Sequence, residues 1–145
     1  MRTIAIAAAL VAVFLLAGRP AALAAENLDA ADRAAIRHVI ESQLDALMRD
    51  DGDEAFLYAA PAIQALFGSP KSFMAMVRQG YEAVYRPQEV EFRDLVEANG
   101  AVVQQVMLVG PDRIPMLAFY MMQEQADGTW RISGCILEPA PDRNI

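Results

Sequence analysis

Four side chains able to do chemistry crowd into one short stretch: Arg78, Tyr81, Tyr85 and Arg86. In an acidic chain, two guanidiniums beside two phenols make a receptor for a carboxylate or phosphate, because arginine presents paired donors in fixed geometry. The same spacing also has a structural reading. Tyr81 and Tyr85, four residues apart, would pack the last helix onto a sheet while both arginines pair with surface acids. Gln43 is a second candidate. At 100° per residue it falls within about 60° of Ile36, Ile40 and Leu47 on one apolar stripe, where an amide must find partners. It either lines a pocket as a hydrogen-bonder or is satisfied inside the core. Tyr58 and Tyr120 carry rings suited to the core and hydroxyls that reach a pocket or its rim. The candidate pocket residues are therefore Gln43, Tyr58, Arg78, Tyr81, Tyr85 and Tyr120.

Other reactive types point to structure. His38, the one histidine, falls with Asp45 on the opposite face of the Gln43 stripe, towards solvent. Asp50, Asp51, Asp53 and Glu54 form a carboxylate cluster, but Gly52 comes too early for a calcium loop and no glutamate closes a twelve-residue one. Ending one helix and capping the next accounts for these acids better. Cys135 lies mid-strand with no neighbouring histidine, which reads as an inert buried thiol. Met74 and Met76 point about 200° apart on a helix, so they make no copper pair. No catalytic residue, metal ligand set or cofactor is assigned.

The elements that must position these residues begin after an address segment. Arg2 gives a positive start, Ile4 to Ala17 is an unbroken apolar run, Gly18 and Pro20 break it, and Ala22-Leu23-Ala24-Ala25 supplies small residues. That is a secretory signal, cleaved after Ala24 or Ala25, so residues 1–25 form a leader and 26–145 a single domain. The fourteen-residue run spans about 21 Å, short of the roughly 30 Å hydrocarbon core, and leaves no stable membrane anchor. With no twin arginine, the general secretion route to a periplasmic or secreted location is expected. The chain of 145 residues has 12 basic and 19 acidic residues. Arg2 and Arg19 leave with the leader, so ten basic residues face nineteen acids and the mature charge is −9. Such a balance disfavours nucleic acid and anionic membranes. One cysteine excludes an internal disulfide.

Ala30 to Asp50, capped by Asp29, has the three-four spacing of an amphipathic helix. Gly52 stops it, Asp53 caps a short helix over 54–60, Pro61 opens another turn or two through Leu66, and Ser69-Pro70 starts a helix that Gly80 ends. Beyond Pro87 the period becomes two. Strands are expected over 89–97, with a bulge near Asp94, then 101–109, 114–124 and 129–137, with Asn99-Gly100 as the first hairpin turn. On strict alternation Trp130, Ile132, Gly134 and Ile136 share one face of the last strand and Arg131, Ser133, Cys135 and Leu137 the other. The layout is α+β, three N-terminal helices packed on a four-stranded antiparallel sheet. The middle strands are apolar on both parities, so a homodimer through the sheet is expected to cover the face the helices leave.

The runs Phe73-Met74-Ala75-Met76-Val77-Arg78-Gln79-Gly80-Tyr81, Val84-Tyr85-Arg86-Pro87 and Gly128-Thr129-Trp130-Arg131-Ile132-Ser133-Gly134-Cys135 resemble the bacterial domain of unknown function 4864 family over about residues 36–141. The resemblance implies a nuclear transport factor 2-like fold, a cone of helices against a curved antiparallel sheet, and carries no catalytic residue across. Three functions stay open. One is a module that binds a small anionic or amphipathic molecule, or a partner, through a cone-shaped pocket. A second is a purely structural dimerisation module. The third is a cofactor-free isomerase or lyase, which needs an acid with a shifted pKa inside the cone.

Overall fold

The computed structural model describes residues 28–98 and 100–141; the leader expected over 1–25 lies outside them. Five helices precede four strands, where three helices were expected. Helix α1 (Ala30–Met48) opens with a capping box, Asp29 accepting from the Asp32 amide at 2.8 Å while Asp32 accepts from Asp29. Its buried face carries Ile36, Ile40, Gln43, Leu44 and Leu47. Each fully buried isoleucine or leucine there contributes about 2 kcal/mol.

The helix stops two residues before Asp50 because Asp50 turns left-handed, at φ 55°. Asp51, rather than Asp53, then caps α2 (Gly52–Leu57) by accepting from the Glu54 amide at 3.1 Å. Helix α3 (Pro61–Phe67) follows, then α4 (Pro70–Gly80), capped by Ser69. Of the two helices beyond the expected three, α3 takes the place of the turn or two expected after Pro61, and α5 (Glu82–Tyr85) is a single turn. Four residues are too few to display a helical period, which is why the sequence hides it.

Strands β1 (Glu89–Ala98), β2 (Ala101–Val109), β3 (Pro115–Glu124) and β4 (Trp130–Pro139) form an open antiparallel meander in the order β1-β2-β3-β4. Gly100, at φ 78°, supplies the left-handed residue needed for the β1–β2 turn. Two bulges interrupt the ladder. The first, between Phe92 and Leu95, lies where a bulge near Asp94 was expected, and the buried Gln104 amide donates to the carbonyl of Arg93 at 2.8 Å.

The second bulge corrects the expected faces of β4. Ile132 pairs with Met122 and Gly134 with Met121, so Ser133 is the extra residue. One added residue exchanges every side chain beyond it. Cys135 and Leu137 therefore join Trp130 and Ile132 against the core, and Ile136 is turned outward, 50% exposed.

One sheet face, with Val102, Val106, Leu108, Ala118, Tyr120 and Met122, packs on the helices. Trp130 is fixed there by its indole N–H, which donates to Asp32 at 3.2 Å. The edge of β4 is not left free. Ile132 donates to the Tyr58 carbonyl and accepts from the Ala60 amide, both at 2.8 Å. This short parallel bridge at Ala59 covers the edge and seats α3 beside β4.

Candidate functional site

Seating α3 next to β4 leaves a space between them, closed below by α1 and α4. It is a cavity of about 340 Å³. That lies at the lower end of the roughly 300–1,000 Å³ usual for small-molecule sites. Ile63, Leu66 and Phe67 of α3 form one wall, and Met76 and Val77 of α4 another. Phe73 is wedged between Phe56 and Phe67, with ring centroids 5.5 and 5.9 Å away. Leu66 is 73% exposed and marks the solvent end, whereas Gln43 and Tyr120 are buried and mark the inner end.

The polar side chains of the wall are Gln43, Tyr81, Tyr120 and Cys135. Gln43 donates to the Ala55 carbonyl at 3.1 Å, which ties α1 to α2. Tyr81 donates to the Cys135 carbonyl at 3.1 Å and so pins the α4–α5 junction to β4. Tyr120 is different. Its hydroxyl is fully buried, and among the described residues it has no hydrogen-bond partner. Burial, and then the neighbouring Cys135, pushes that phenol well above its usual range. Burial also raises the Cys135 thiol to about 12. Burial thus keeps the Tyr120 phenol and the Cys135 thiol protonated near pH 7. Among the described lining residues there is no carboxylate, imidazole, ammonium or guanidinium.

The six candidate residues divide between three places. Gln43, Tyr81 and Tyr120 line the cavity. Tyr58, Arg78 and Tyr85 stand outside its lining. Tyr58 donates to Glu54 at 3.2 Å. Arg78 and Tyr85 meet Arg86 around Asp50, in a cluster at the surface end of α1. The Tyr85 hydroxyl donates to Asp50 Oδ1, and Arg86 donates to Asp50 Oδ2 and to the Tyr85 hydroxyl, each at 2.9 Å. Arg78 reaches the same hydroxyl at 3.2 Å and Asp50 at 3.5 Å. Arg86 also stacks 3.8 Å above the Tyr85 ring and donates to the Leu47 carbonyl at 2.7 Å. The anion this patch receives is thus the protein's own Asp50. The Tyr85 hydroxyl first, then the two arginines, hold that carboxyl below its usual range.

The remaining acids of the cluster have local tasks. Asp51 caps α2, and Glu54 accepts from Arg49 at 2.8 Å. His38 is exposed on α1, 3.5 Å from Ser42 Oγ. Several wall residues escape sequence reading. Ile63, Leu66 and Phe67 sit in a helix too short to show periodicity, and Met121, Gly134 and Cys135 are placed by the bulge at Ser133.

The sheet face away from the helices carries a second, larger pocket of about 670 Å³, lined by Arg93, Asp94, Gln105, Met107 and Leu117 among others. Among the described residues no helix is long and apolar enough to cross a membrane. A family model described as "Domain of unknown function (DUF4864)" matches residues 29–145. No curated protein and no solved structure matches the chain.

Proposed function

The chain belongs to the family described as domain of unknown function (DUF4864), and from that premise we propose that it is a small-molecule-binding module working through the α3–β4 cavity. The observation that carries this reading is the cavity itself, an apolar space lined in part by Tyr120, whose hydroxyl is buried and has no partner among the described residues. Filled cores do not normally keep such a space, and buried polar groups are normally paired. The wall offers apolar contact and neutral hydrogen bonds, which suits binding better than the proton transfer of an isomerase or lyase.

Helices on one face of an antiparallel meander, with a cavity between the layers, are compatible with a nuclear transport factor 2-like cone. The leader layout supports export by the general secretion route and action in the periplasm or outside the cell. A second reading, a homodimer through the outer sheet face, is favoured by the half-buried Met107, Leu117 and Phe119 and the exposed Ile136 on that face.

The test is a native mass spectrum of residues 26–145 purified from the exported compartment, beside the variant Ile63→Trp. A small-molecule mass excess in the parent that the variant lacks supports the cavity. The same excess in both, or none in either, argues against it. The number of subunits in the same spectrum decides the dimer.

A further inference from the structure

The cavity has a direction, and its chemistry is lopsided along it. Its solvent end is apolar, formed by Leu66, Phe67 and Met76, and its inner end holds Gln43 and Tyr120. Arg78 and Arg86 are committed to Asp50 and Tyr85, Arg131 donates to the Ala59 carbonyl at 3.5 Å, and none of the three is part of the wall. A carboxylate or phosphate drawn to the inner end would lose its water and meet no positive charge there, which is strongly unfavourable. An ammonium would fare no better, for want of an acid. A neutral oxygen, by contrast, answers what the inner end lacks. The Tyr120 hydroxyl is a donor that neither the fold nor solvent satisfies. The buried Gln43 amide makes one hydrogen bond among the described residues, to Ala55, and keeps further capacity.

Resting on the cavity reading above, we propose that the ligand is an uncharged, largely hydrocarbon molecule bearing one hydrogen-bond-accepting oxygen, a ketone, ester or ether, which enters oxygen first. Tyr120 donates to that oxygen, Gln43 supports it, and the hydrocarbon body lies against α3 and α4. The ligand class thereby follows from what is missing at the inner end: charge of either sign.

Three probes sharing one ring system test this by equilibrium dialysis against residues 26–145: 2-acetylnaphthalene, 2-naphthoate and 2-ethylnaphthalene. The ketone is expected to bind at least ten-fold tighter than the carboxylate and several-fold tighter than the hydrocarbon. Tyr120→Phe should bring the ketone down to the level of the hydrocarbon while hydrocarbon binding stays as in the parent, which also shows that the variant is folded. Naphthoate binding as tightly as the ketone would overturn the neutral-ligand assignment. A ketone preference that survives Tyr120→Phe would overturn the role given to the hydroxyl. If none of the three probes binds, the cavity reading itself fails, an outcome distinct from the other two.

Discussion

Tyr120 faces Cys135 directly across the β3–β4 ladder, and the pair meets on the helix side of the sheet because Ser133 is bulged out of β4. Without that extra residue the thiol would stand on the outer face and the phenol would have a different neighbour. The bulge therefore builds the inner end of the cavity, and it brings two weakly acidic groups together where burial keeps both protonated.

Because the Tyr120 hydroxyl is desolvated without a partner, removing it should relieve a cost. Tyr120→Phe is expected to stabilise the ligand-free chain by about 1 kcal/mol, or roughly 4 °C in Tm for a domain of this size. Urea unfolding of parent and variant, side by side, measures the difference. A destabilised variant would mean that the hydroxyl is satisfied in solution.

The Cys135 thiol is raised from 9.0 to about 12. Near pH 8 the folded chain should react with iodoacetamide several hundred-fold more slowly than the urea-unfolded chain, since only the thiolate attacks. The pH dependence has a definite sign. The unfolded thiol loses its proton above about pH 9 while the folded one keeps it, so the thiol's contribution to stability is whole below pH 9 and is lost as pH rises towards 12. Cys135→Ala should remove that component of the alkaline loss.

Asp50 behaves in the opposite sense. Its carboxyl is held below the usual 3.8, so its contribution is present above that value and disappears as pH falls through the lower folded pKa. Asp50→Asn retains a side chain that tolerates the left-handed backbone at φ 55° but removes the charge. The variant should lose stability near neutral pH and show a shallower acid limb. Denaturant midpoints measured from pH 2 to 7 follow both. An unchanged acid limb would show that the cluster with Arg78, Tyr85 and Arg86 is energetically idle, as exposed ion pairs often are.

The face assignment of β4 is open to a direct comparison. Leu137→Asp puts a charge against the core and should cost about 1–3 kcal/mol, whereas Ile136→Asp should change monomer stability by about 0.5 kcal/mol or less. Regular alternation from Trp130 demands the reverse order. Should Ile136→Asp also convert a dimer into a monomer on sedimentation, the outer sheet face is the interface.

Local chemistry made much of this fold readable. Asp29 and Ser69 mark helix starts because their side chains accept from amides a few residues on, a relation spanning one turn. The change of period after Pro87 and Gly100 in the first turn announce the meander. Gln43 was legible as a polar residue in an apolar stripe because helical geometry alone fixes its direction. Arg78 and Tyr85 were legible as a reactive patch, but their partner Asp50 is 35 positions from Tyr85, and no local rule joins them.

What the sequence determined by itself is therefore what depends on neighbours along the chain: where helices begin and end, where strands turn, and which residue types are present to do chemistry. Tertiary structure decided the rest. A single inserted residue at Ser133 costs little locally yet reverses every side chain after it, so Cys135 enters the cavity wall and Ile136 leaves it. The bridge from Tyr58 and Ala60 to Ile132 sets α3 against β4, and only that placement opens a cavity and leaves the Tyr120 hydroxyl buried without a partner. Burial and partnership are properties of the packed chain, and the free energies that follow from them have no counterpart in any stretch of the sequence read alone.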